Sequence, residues 1–237
     1  MGGEQEKNAI KLPEALKSVA KSLNFNKIEI PKILINTDDR YFLAAENLGK
    51  KGWTIPFSFT PRQIAFFEDL SLSNEIIDNF FLEYYLEEDN FNRLLTMIYD
   101  VQLLAQWHPA IKQCEIAHRN ELYILSISTL IPILEGVLSK FEDDKNNIRM
   151  IRVCKEKLEE SVAMNSGVQT IMWTSCLHFV TTLYSKSDFS EPKPQLINRH
   201  WILHGRTEIV NSEVESIRLF NTLETIANII YFQTQDR

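Results

Sequence analysis

The spacing of apolar residues turns helical at Thr60. Thr60, Pro61 and Gln63 form a capping box with proline at the first helical position, which predicts a helix to about Leu70. Ile76, Phe80 and Tyr84, then Phe91, Leu94, Leu95, Ile98 and Val101, keep a three-and-four spacing and predict two amphipathic helices. Glu87-Glu88-Asp89-Asn90 reads as the turn between them, its charges favouring the start of the second. Pro109 is expected to end that run, and one long helix is expected over 111–141, kinked at Pro132 by the missing backbone donor. Further helices are expected over 148–163, over 168–184 with Ser166 as cap, and over 195–204, where Gly205 stops the turn. Ser212 with Glu215 opens a last helix to about Phe232, with Ile217, Phe220, Leu223, Ala227 and Ile230 on one face. Before Thr60 the pattern is weaker: a short helix over 17–23, a stub of strand over 28–30, and breaks at Pro31, Gly49, Gly52 and Pro56. The expectation is an all-α chain with a mainly helical N-terminal region (1–110) and a helical domain over 111–237.

Composition narrows the class. The chain has 237 residues, of which 44% are hydrophobic and 24% charged, a globular balance that excludes a disordered or fibrous protein. Seven glycines and eight prolines are too few for an all-β fold rich in tight turns. Cys114, Cys154 and Cys176 are odd in number and widely spaced, which argues against a disulfide framework or a cysteine zinc site and for reduced thiols in the cytoplasm. The most apolar stretch, 123–138, reads as too short to span a bilayer, and Met1 to Lys7 lacks the apolar core of a signal peptide. A net charge of −7 makes a nucleic-acid-coating surface improbable, so any RNA contact has to come from a local basic spot.

One such spot is Asn198-Arg199-His200-Trp201-Ile202-Leu203-His204-Gly205-Arg206. Helical spacing puts His200 and His204 on one face, with Arg199 about 100° round the axis from His200. A fixed guanidinium lowers a neighbouring imidazole pKa and keeps a proton-accepting form available near pH 7. The guanidinium fork also matches phosphate oxygens. A base, a possible acid and a cationic clamp together suit phosphodiester chemistry.

This segment resembles the Arg-x4–6-His motif of the HEPN superfamily, helical domains typical of prokaryotic RNases in defence and toxin–antitoxin systems. His200 occupies the polar position that follows the arginine in that motif. The resemblance covers 111–237. It implies an antiparallel four-helix bundle that forms a homodimer and brings two Arg/His sets together across a cleft. It also implies metal-independent cleavage of RNA with no cofactor. His204 removes the 2′-hydroxyl proton, Arg199 stabilises the phosphoryl oxygens, and His200, or an imidazole from the other subunit, protonates the leaving 5′-oxygen. The products are a 2′,3′-cyclic phosphate and a 5′-hydroxyl. An antitoxin or sensor protein is the implied partner, in phage defence or toxicity.

Other readings stand beside this one. Glu135 lies on an apolar face and wants a partner, which Arg199 or an imidazole supplies unless the carboxylate reaches solvent. Asn198 and Arg206 are supporting candidates, the latter for phosphate. His200, His204 and Glu208 have four-residue spacing for a metal, but Gly205 is expected to end the helix first. His118-Arg119-Asn120 fails the motif spacing and reads as a solvated helix face; His178 reads as a core histidine and His108 as a helix-end residue. Phe66, Phe67, Phe80, Phe81, Tyr84 and Tyr85 are either core or a docking surface. The alternative function is a non-catalytic HEPN-like module that holds RNA, a nucleotide or a protein partner.

Overall fold

The computed structural model describes residues 39–142, 149–186, 188–207 and 211–235. The helix expected over 17–23 and the strand over 28–30 lie outside them. All regular structure is helical, and no strand occurs among the described residues. The helices are α1 (Asp39–Lys50), α2 (Pro61–Phe66), α3 (Asn74–Leu86), α4 (Glu88–Asp100), α5 (His108–Arg119), α6 (Tyr123–Leu138), α7 (Met150–Ala163), α8 (Gly167–Tyr184), α9 (Arg199–Leu203) and α10 (Glu213–Gln235). Short 3-10 turns join α4 to α5 and extend α6 through Phe141.

Local chemistry sets many of these boundaries. The Thr60/Gln63 capping box opens α2 with both reciprocal bonds made. Glu88 and Asp89 occupy the first turn of α4. The expected single helix over 111–141 is instead two. Asn120 caps α5, Glu121 adopts φ +59°, and the Leu122 amide bonds back to the Ala117 carbonyl at 2.8 Å. No glycine or proline marks this break, so a spacing argument runs straight through it. Pro109 lies in the first turn of α5 rather than ending α4, because the missing amide is harmless there. Ser166 precedes α8 but its side chain makes no capping bond. The expected 195–204 helix shrinks to Arg199–Leu203 because Asn198 caps it from within.

α10 is the axis of the fold, packed on by α3, α4, α6 and α8, while α5 pairs with α6, α7 with α8 and α1 with α8. One buried apolar cluster runs from Ala44 to Ile230. Phe67, Phe81 and Tyr85 are buried in it, and Trp53 stacks on Phe81 at 4.1 Å, which makes the N-terminal aromatics core rather than a docking surface. The stretch from Tyr123 to Phe141 is long and apolar enough to cross a membrane by length and composition, contrary to the expectation that it is too short. Here Ile127, Leu130, Leu134 and Leu138 on it join the core.

α10 also carries a buried polar seam. Arg218, 3% exposed, pairs with Asp78 of α3 and with Glu215, and its guanidinium lies over the Trp53 ring. Gly52, at φ +90°, lets the backbone pass this guanidinium; a Cβ there would sit 2.9 Å from Nε. Asn221 accepts the Thr54 amide and hydroxyl, both at 2.9 Å, and the Thr225 hydroxyl donates to the Ile55 carbonyl. The irregular 51–60 segment is thus buried with its backbone groups answered by side chains.

Asn221 also donates to the Tyr85 hydroxyl, which donates to Glu224 at 2.9 Å. Burial pushes the Glu224 carboxyl up to about 7. A carboxyl raised on folding binds its proton more tightly in the native state. Its contribution is therefore full below about 4.5 and is lost as pH rises through about 7. Glu224→Gln is expected to remove that fall, on the order of 3 kcal/mol, so that urea midpoints at pH 5 and pH 8 converge. An unchanged fall in the variant contradicts the assignment.

Candidate functional site

The Arg199–His204 turn is fixed at both ends. The Asn198 side-chain carbonyl oxygen accepts the amides of His200 at 3.0 Å and Trp201 at 3.3 Å. Its amide nitrogen donates to the carbonyls of Thr182 at 2.8 Å and Ser185 at 3.1 Å, tying the turn to the end of α8. At the other end Gly205 takes φ +61°, with Arg206 N to Trp201 O at 2.9 Å and Gly205 N to Ile202 O at 3.1 Å, a Schellman arrangement.

On this turn the His200 and His204 rings stand 4.6 Å apart between centroids, and His204 is exposed. Phe189, from the loop before α9, stacks on His200 at 4.6 Å with 8° between the planes, lies 6.1 Å from His204 and meets the edge of Trp201. The Arg206 guanidinium lies over the same phenyl ring at 5.1 Å. His200 is drawn below the usual imidazole range by partial burial first, then by the positive charges of His204, Lys186 and Arg199.

Arg199 points elsewhere. Its Nε lies 3.2 Å from Glu135 Oε2 on α6, an ion pair without hydrogen-bond alignment, the two side chains being 35% and 36% exposed. Tyr184 stands close enough to feel both charges and donates to the Ile131 carbonyl at 2.9 Å. The structure thus brings Arg199 to Glu135 and His200 to His204. It does not bring Arg199 to His204: five residues along a helix place them about 140° apart.

The remaining candidates fall in place around this. Glu208 lies outside the described residues, and among those described no three His, Cys, Asp or Glu side chains cluster as a metal set. His118 is not on a solvated face. It is buried among Phe91, Tyr123 and Phe220, bonds Ser216 at 2.9 Å, and burial, with Arg119 beside it, pushes it down to about 4. His178 is partly buried, and His108 opens α5 with a buried Nε2 that has no hydrogen-bond partner. All three cysteines are free and buried. Phe189 escaped sequence reasoning; its one signal was a lone aromatic in a polar loop, where Asp188 bonds the Ser190 amide and hydroxyl. No family model, curated protein or solved structure matches the chain.

Asn198→Ala removes the cap and the tie to α8 together. A loss of about 2 kcal/mol in urea denaturation is expected, with dispersal of the His200 ring signal from its stacked position by NMR. Unchanged stability and unchanged ring shifts would contradict the role given to Asn198.

Proposed function

We propose that this chain is a metal-independent endoribonuclease of the HEPN kind, active in the cytoplasm as a homodimer. The observation that carries the reading is the His200–His204 pair, 4.6 Å apart on one accessible turn with cationic side chains beside it. A positive charge on His204 disfavours a proton on His200. The pair therefore offers His200 as proton acceptor beside a second imidazole able to carry the proton that is donated. The lowered value of His200 suits the base, leaving His204 to donate; this exchanges the two roles expected from sequence.

The step balances simply. His200 takes the proton of a ribose 2′-hydroxyl, the oxygen bonds to phosphorus, and the phosphorus–O5′ bond breaks as His204 gives its proton to O5′. DNA has no such hydroxyl and escapes. Arg206 and Lys186 lie on the imidazole side and neutralise the phosphate. Arg199, turned away within its own protomer, serves across the dimer, with Glu135 holding its Nε and leaving the terminal nitrogens for phosphoryl oxygens. Phage defence or toxicity, with an antitoxin or sensor protein as partner, is the setting this activity fits.

A second reading has its own support. Glu135 already answers the Arg199 charge and the chain is acidic overall, which favours a module that holds RNA, a nucleotide or a protein without cutting it.

Total RNA incubated with the protein in excess chelator separates the two. Cleavage is expected to persist, to fall about a hundredfold or more in His200→Ala and His204→Ala, and to fall at least about tenfold in Arg199→Ala, with light scattering reporting a dimer. Cleavage unaffected by all three variants overturns the assignment, and absence of cleavage with retained RNA binding favours the second reading.

A further inference from the structure

The ends of α3 and α5 meet the starts of α4, α6 and α10 around an open cleft of about 280 Å³. Its walls are apolar and aromatic, from Leu82, Leu86, Phe91, Tyr123 and Ile217. A space of about 150 Å³ is enough for a benzene ring, so this cleft has room for a ring and a short chain.

His118 lines the cleft with only 9% of its surface exposed. Its Nδ1 meets the Ser216 hydroxyl at 2.9 Å, Ser216 bonds Ser126, and Ser126 donates to the Tyr123 carbonyl at 3.2 Å. A carbonyl only accepts, so this chain of single hydroxyl protons runs in one direction. Ser126 gives its proton to the carbonyl, Ser216 gives its own to Ser126, and His118 donates from Nδ1. Nε2 is then the nitrogen without a proton, and its lone pair has no partner among the described residues. Burial, and then the Arg119 charge, keep the ring neutral down to about pH 4, so the lone pair stays free. A donor on a ligand relieves the cost of so deep an acceptor without a partner.

Charge at the mouth narrows the ligand. Arg119 is already answered by Glu88, Glu115 and Asn92. Glu121, exposed, and Glu213, partly exposed, line the same cleft and form no ion pair among the described residues. They stand close together: burial and then the Glu121 charge raise the Glu213 carboxyl, and both charges act on the Tyr123 hydroxyl. A cation is attracted there and an anion repelled. A metal ion is a poor occupant, since no three ligating side chains converge among the described residues.

We propose that this cleft binds a small aromatic amine that carries a hydroxyl on its ring. The ammonium group lies between Glu121 and Glu213, the ring packs on Phe91 and Tyr123, and the hydroxyl donates to His118 Nε2. The site shares no residue with the Arg199–His204 turn and does not depend on RNA cleavage.

Tyramine is the probe, titrated into the full chain while the imidazole nitrogens are followed by two-bond proton–nitrogen NMR. The free protein is expected to show His118 unprotonated at Nε2. That nitrogen is expected to shift saturably, with a dissociation constant at or below the millimolar range. Phenethylamine, which lacks the hydroxyl, is expected to bind about tenfold more weakly. The anion 4-hydroxyphenylacetate is expected to lose at least as much, and Glu121→Gln with Glu213→Gln to weaken tyramine by a similar factor. A His118 signal that stays still at millimolar tyramine, or either comparison compound binding as tightly as tyramine, overturns the proposal. The ligand comparisons use the unaltered chain, so they stand even where a variant folds poorly.

Discussion

Arg218 is the charge around which the fold is assembled. A guanidinium 3% exposed cannot stand alone in a core, and two carboxylates answer it, Glu215 one turn away and Asp78 from α3. Trp53 covers its face, and Trp53 in turn stacks on Phe81 and donates to Asp78. The arrangement fixes α10 against α3 and pins the segment that follows α1. Breaking it would strand charge inside the protein, the costly case for a buried ion pair. Further along the helix, Asn221, Glu224 and Thr225 extend the same seam, and near its start Ser216 bonds His118 of α5 and Ser126 of α6. Polar residues of one helix thus set the register of most of the others.

That seam explains what could and could not be read from the residues. Caps are local, so Thr60/Gln63 and Gly205 announce themselves wherever they occur. For Glu135 a general cost, a carboxylate on an apolar face needing a partner, left Arg199, an imidazole or solvent open, and the structure pairs it with Arg199 while leaving both partly exposed. α10 is different. Its apolar face of Ile217, Phe220, Leu223, Ala227 and Ile230 was legible, but Arg218, Asn221, Thr222, Glu224, Thr225 and Asn228 look like a solvent face in sequence and are buried. Only their mutual bonding makes burial tolerable, and bonding across 136–171 residues leaves no periodic trace. The break at 120–122 was hidden for another reason, since a glutamate rather than a glycine takes the left-handed turn.

The candidate site inherits its geometry from this frame. Asn198 ties α9 to the end of α8, and Glu135 of α6 holds Arg199. The five-residue helix carries the stacked imidazole of His200 on one face. On the proposed ribonuclease reading, Arg199, Arg206 and Lys186 are the cations offered to a phosphate in an otherwise acidic chain.

End-group analysis of cleaved RNA tests the central claim most directly. The account predicts 2′,3′-cyclic phosphate and 5′-hydroxyl termini, and no cut at a linkage whose ribose carries a 2′-deoxy substitution. Termini bearing a 5′-phosphate and a 3′-hydroxyl, or cleavage that ignores the missing hydroxyl, would contradict an imidazole pair acting on the ribose.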